Sequence, residues 1–94
     1  MIMDENALAA AATVLHEMGG TVRLSVLCAL RGGPRTVSQL QGAVDVPQAL
    51  VSNHLRRLRA AGLVRSDRSP DDARIIFYSI ADDRIHRVLD ALSL

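Results

Sequence analysis

Ninety-four residues suffice for one domain with a modest core, one that buries roughly 60 to 65% of its unfolded surface. Nearly half the residues are hydrophobic, yet only Phe77 and Tyr78 are aromatic; the core must come from Leu, Val, Ile and Ala, which favours packed helices over a sandwich, and a second copy would add burial that a monomer lacks. The net charge of +1 gives no overall field, and the single cysteine, Cys28, excludes an internal disulfide and a cysteine-rich zinc site.

All eleven basic residues are Arg. Arg is the better fork for phosphates and guanine edges, although a coding bias towards Arg and Ala accounts for the missing Lys equally well. Position along the chain therefore decides what the arginines mean. Met1 to Glu5 is acidic where a secretory leader is basic, and the alanine-rich run that follows is broken by His16 and Glu17. Neither a signal peptide nor a membrane span is expected, and a reducing cytoplasm suits the free thiol.

Leu8, Ala12, Leu15 and Met18 recur at helical spacing and stop at Gly19-Gly20, which predicts a first helix over residues 5–18. Thr21 is placed to cap a second helix carrying Leu24, Leu27, Cys28 and Leu30 up to Gly32-Gly33-Pro34. Being apolar nearly all round, that helix reads as the buried centre. Thr36 precedes Val37, Leu40 and Val44 in a short third helix. Asp45 and Val46 then turn the chain to Pro47, a residue suited to the first position of a fourth helix that Gly62 ends. Two short helices joined by a tight turn form a helix-turn-helix outline, with 47–62 as its second member.

Beyond Gly62 the period changes. Residues 63–66 and 75–80 are strand-like, with Ser69-Pro70-Asp71-Asp72 as the turn, so 63–80 reads as a β-hairpin wing. A last helix begins at Asp82 or Asp83, with Ala81, Ile85, Val88, Leu89 and Leu92 in one narrow apolar stripe. The fold class is thus mainly α with a small hairpin, a single winged helix-turn-helix domain over residues 1–94.

On a helical wheel the fourth helix divides cleanly. Leu50, Val51, Leu55, Leu58 and Ala61 share one arc; Gln48, Ser52, Asn53, Arg56, Arg57 and Arg59 share the other. Amides, a hydroxyl and guanidiniums are the groups that meet base edges and phosphates. The first two turns of a recognition helix reach the bases, which makes Gln48, Ala49, Ser52 and Asn53 the base-edge candidates and Arg56 and Arg57 the phosphate candidates. His54 falls among the apolar positions and reads as a packed, hydrogen-bonded histidine. On the wing, Arg65, Arg68 and Arg74 are candidates for the DNA backbone or minor groove, in a field weakened by Asp67, Asp71 and Asp72. An enzyme is not expected: there is no glycine-rich phosphate loop, and Ser52 and His54, two apart on a helix, point to different faces.

The segments Arg23-Leu24-Ser25-Val26-Leu27, Val37-Ser38-Gln39-Leu40, Pro47-Gln48-Ala49-Leu50-Val51-Ser52-Asn53-His54-Leu55 and Leu58-Arg59-Ala60-Ala61-Gly62-Leu63-Val64 resemble the ArsR/SmtB family of bacterial winged-helix regulators over about residues 8 to 92. The recognition helix running into Ala-Gly-Leu-Val is the most specific part. Gly20-Thr21-Val22 stands where the family usually has Asp-Pro-Thr, a departure that bears on the cap of the second helix. The resemblance implies a homodimer on an inverted repeat in promoter DNA, with residues 5–18 and 82–93 as dimerisation helices, and a repressor released by a metal or redox signal. The sensing residues do not carry over. Arg35, Thr36 and Val37 stand where some members have cysteines, Asp82 and Arg84 stand where others have Asp-x-His, and Cys28 has no second cysteine to pair with. No cofactor is therefore expected. Asp83, His86 and Asp90, joined by His16 or Glu17 of a dimer partner, remain candidates for an unconventional nickel or zinc site, against the plainer reading of Asp83 with Arg87, and His86 with Asp90, as surface pairs. The competing reading of the whole chain is a winged helix used for contact with a regulatory partner protein.

Overall fold

Side-chain caps open the first and third helices in the computed structural model, which describes residues 3–94. Met1 and Ile2, part of the acidic leading segment, lie outside the described residues. Helix α1 (Glu5–Met18) starts where Asp4 accepts from the amides of Asn6 and Ala7, at 2.9 and 3.3 Å. The next helix, α2 (Thr21–Leu30), corrects the expected cap. Gly20, at φ 109°, holds the cap position without a side-chain bond, and its carbonyl accepts from Leu24 at 3.0 Å. Thr21 is already helical because the glycine turns the chain one residue earlier.

Helix α3 (Val37–Val44) opens on a full capping box, Thr36 accepting from the Gln39 amide and Gln39 from the Thr36 amide at 3.2 and 3.0 Å. In α4 (Gln48–Ala60), Pro47 sits at the cap, one position before the helix, and its carbonyl accepts from Leu50 and Val51. Strands β1 (Val64–Arg68) and β2 (Ile76–Ile80) pair antiparallel from Val64 with Ile80 to Arg68 with Ile76. β1 reaches further into the polar segment than hydropathy alone suggests, since the Ser69 amide donates to the Ile75 carbonyl at 2.8 Å and closes the hairpin near its tip. Helix α5 (Arg84–Ala91) ends the chain.

The core gathers around α2. Val26, Leu27 and Leu30 meet Leu40 of α3, Val51, Leu55 and Leu58 of α4, Leu63 and Val64 at the hairpin base, and Ile85 and Leu89 of α5, while no polar side chain is buried among the described residues. From α1 only Val14 and Met18 are buried; Leu8 and Leu15, expected in its apolar stripe, are 47% and 59% exposed. Leu92, at 56%, is likewise outside the core. Residues 3–13 are exposed throughout, so the first turns of α1 project from the body. The radius of gyration of 14.1 Å exceeds the roughly 12 Å typical of a compact chain of this length.

Candidate nucleic-acid interface

Asp45, in the left-handed region at φ 51°, ends α3 and redirects the chain through Val46 to Pro47. Asp is among the few residues that tolerate this conformation. The turn sets α4 across α3 with Val51, Leu55 and Leu58 fully buried at i, i+4 and i+7. Opposite them Gln48, Ala49, Asn53 and Arg56 are exposed and Ser52 is half-buried. Leu50, expected in the apolar arc, is 39% exposed: about 100° from Val51 on the wheel, it stands at the edge of the stripe.

One flank of α4 faces α1 and α2. Arg57 Nε donates to Glu17 Oε2 at 2.9 Å, and an Arg57 Nη2 hydrogen reaches His16 Nε2 at 3.5 Å. This Arg57 guanidinium holds the Glu17 carboxyl below its ordinary range. His54 is half-buried, and Arg23 Nη1 lies 3.4 Å from its Nδ1. A guanidinium only donates, so Nδ1 accepts and the proton sits on Nε2. Burial first, then the charges of Arg23 and Arg57, push the His54 pKa down. Arg57 thus lies on the side of α4 that ties the reading helix to the first helix.

The other flank faces the wing. Antiparallel register places Ser66 opposite Tyr78 on one face of the hairpin and Arg65 opposite Ser79 on the other. Arg59 Nη1 donates to Ser66 Oγ at 2.9 Å, latching α4 to the hairpin, and Ser52, Arg56, Arg59 and Tyr78 line one notch. Arg59, read from the sequence only as part of a polar face, and Tyr78, read only as a strand residue, are what sequence reasoning missed; the two-residue alternation that puts Ser66 and Tyr78 together was the available signal. Each wing arginine has a local partner. Arg65 lies 3.6 Å from Asp67, Arg74 pairs with Asp72 at 2.9 Å, and Arg68 donates to the Ala73 carbonyl at 2.7 Å. These residues flank the tip and remain exposed.

Residues 21–66 match the family model described as bacterial regulatory protein, arsR family. The chain is 41% identical over 87 residues to the HTH-type transcriptional repressor SmtB of Mycobacterium tuberculosis, covering 92% of this chain and 62% of that one. The crystal structure of NolR from Sinorhizobium fredii superposes with a TM-score of 0.84 at 32% identity, over 99% of this chain and 93% of that one. The chain belongs to the ArsR family. A Mycobacterium bovis relative, Mb0332, described as a homodimeric winged helix-turn-helix DNA-binding domain and a possible ArsR-family regulator, is 26% identical with a TM-score of 0.80, over 98% of this chain and 84% of that one. At 62% of the SmtB repressor's length, the present chain corresponds to part of that relative.

Within one chain the candidate metal ligands do not gather into a group of three, and among the described residues no three His, Cys, Asp or Glu side chains gather as a metal would need. Asp90, a candidate ligand, is bonded to Arg31 at the C-terminal cap of α2, which also donates to the His86 carbonyl at 3.2 Å. This replaces the surface pair of His86 with Asp90. Asp83 does reach Arg87, at 4.0 Å. His16 is on α1 beside Arg57, apart from the α5 candidates. No helix of the described residues is long and apolar enough to cross a membrane.

Proposed function

We propose that this chain acts as a sequence-specific transcriptional regulator of the cytoplasm, a homodimer on an inverted repeat of duplex DNA. The reading is carried by the outward face of α4, where Gln48, Ala49, Ser52 and Asn53 present amides and a hydroxyl opposite a fully buried Val51, Leu55 and Leu58. Amides suit adenine and the hydroxyl suits a base edge or phosphate. Arg56 and Arg57 serve the phosphates, and Arg65, Arg68 and Arg74 follow the flanking backbone. Arg57 does so in competition with Glu17, and Arg65 and Arg74 in competition with Asp67 and Asp72; exposed ion pairs of this kind are weak enough to exchange for a phosphate.

Dimerisation draws on α1 and α5. Leu8, Leu15 and Leu92 are apolar side chains left largely in water, and a second copy would cover them. The reading assigns no part to a metal; Asp90 is engaged by Arg31, and Asp83, His86, Asp90 and His16 form no ligand group within one chain. Fluorescence anisotropy on the chain's own promoter region across a salt series, with sedimentation to report the dimer, tests the proposal. Tight, salt-steep and sequence-selective binding is expected, unaltered by nickel, zinc or chelator. A dimer that binds no duplex at low salt would refute it and favour contact with a partner protein.

A further inference from the structure

Beside the base-reading face, the notch lined by Ser52, Arg56, Arg59 and Tyr78 has a volume of about 190 Å³. Its walls are anchored separately. Arg59 holds Ser66 of β1 at 2.9 Å, while the Tyr78 amide donates to the Arg35 carbonyl at 2.7 Å and the Arg35 amide to the Tyr78 carbonyl at 2.9 Å. The wing strand is therefore fixed both to α4 and to the segment that leads into α3.

Charge makes the notch distinctive. Six arginines have a carboxylate within 4.0 Å; among the described residues five have none, and two of those five, Arg56 and Arg59, share this notch. Their bonded acceptors are the neutral Asn53 Oδ1 at 3.3 Å and Ser66 Oγ at 2.9 Å. Asp67, the nearest acid in sequence, is turned by strand alternation to the face opposite Tyr78. A guanidinium has five N–H donors, so both keep spare donors and full charge. Two guanidiniums, an alcohol and a phenol form a lining rich in donors, whose complement is a small acceptor-rich anion. Ser52, Arg56 and Arg59, at i, i+4 and i+7, run along α4 next to the base-edge candidates.

We infer that this notch seats one phosphodiester of the DNA strand bordering the groove that α4 enters, with Arg59 and Tyr78 as direct contacts. The inference rests on the DNA-binding reading above. Such a contact fixes the pitch of α4 in the groove and carries no base preference.

The test uses a fluorescein-labelled duplex of mixed sequence, the whole chain, and the variants Arg59→Gln and Tyr78→Phe, with circular dichroism to verify folding. Arg59→Gln should flatten the dependence of log K on log salt by about 0.9 per engaged protomer. Tyr78→Phe, which removes only a hydroxyl, should weaken binding about three- to tenfold with the slope kept. Parent binding with both notch variants indistinguishable from it overturns this inference alone; a parent that binds no duplex overturns the DNA reading with it. Inorganic phosphate shifting the Arg59 Nε–H signal in a parent that ignores duplex would assign the seat to a free oxyanion and overturn the DNA assignment.

Discussion

Leu55 and Asn53 stand two residues apart on α4, and their replacement by Ala should separate stability from recognition. Leu55 is fully buried in the cluster that joins α2, α4 and α5, so Leu55→Ala removes packed methyl groups and leaves a void, at a cost of about 2–5 kcal/mol. For a domain of this size each kcal/mol is worth about 4–8 °C in Tm, which gives a fall of roughly 10–40 °C. Asn53 is exposed, and its one side-chain bond is the 3.3 Å contact from Arg56. Asn53→Ala should therefore change stability by less than about 0.5 kcal/mol. If Asn53 reads an adenine, the same substitution costs about 1–3 kcal/mol in the complex, or about 5- to 150-fold in Kd. Thermal unfolding by circular dichroism at fixed protomer concentration, paired with anisotropy on the promoter fragment, measures both quantities. A Tm for Leu55→Ala within about two degrees of the parent would refute the packing argument. An Asn53→Ala protein that melts early would refute the assignment of the two faces.

Acid should destabilise the fold through His54. Near its ordinary value of 6.5 the unfolded chain takes up a proton that the folded His54, its pKa lowered by burial and by Arg23 and Arg57, refuses, so stability falls as pH drops through 6.5 and levels off below the folded pKa. Glu17, Asp72 and Asp82, held low by hydrogen bonds from Arg57, Arg74 and Arg84, act only in the carboxylate range beneath that window. The Tm should drop between about pH 7 and pH 5.5, and His54→Gln should blunt the drop; equal drops would assign it elsewhere. Two glycines should respond oppositely to Ala. Gly62→Ala, forced to φ 77°, should lose about 1–2 kcal/mol, whereas Gly42→Ala in exposed α3, where a Cβ meets nothing, should gain about 0.5–1 kcal/mol. Thr36→Ala, which breaks the capping box of α3, should cost about 1 kcal/mol in chemical denaturation, and Thr36→Ser should restore most of it.

Helix placement was legible because its signals are local. Gly19-Gly20, Thr36, Pro47 and Gly62 each act on their own neighbours, so α1 stops at the first pair, α3 follows Thr36, and α4 lies between Pro47 and Gly62. Side-chain fate was less legible wherever it depends on a distant element. Leu50 and Leu55 share the apolar side of α4 by hydropathy, but Leu50 stands at its edge and is exposed while Leu55 is buried in the core cluster. Arg56 and Arg57 are neighbours in a basic run, yet the 100° between them sends Arg57 to Glu17 on α1 and leaves Arg56 with Asn53. Tyr78 and Ser66 meet only because of the hairpin register, which hydropathy does not specify when the turn is long and polar.

The same partition explains how a chain of net charge +1 can present a cationic surface. Charge that its own acids neutralise contributes little field beyond a Debye length of about 8 Å. The paired arginines spend theirs locally: Arg31 on Asp90 and Arg84 on Asp82 around α5, Arg57 on Glu17 at α1, Arg74 on Asp72 in the wing. Among the described residues Arg23, Arg35, Arg56, Arg59 and Arg68 have no carboxylate within 4.0 Å, and of these Arg56 and Arg59 lie on α4 with Arg23 against its His54. Such arginines, and not the overall count, set the potential around the reading helix.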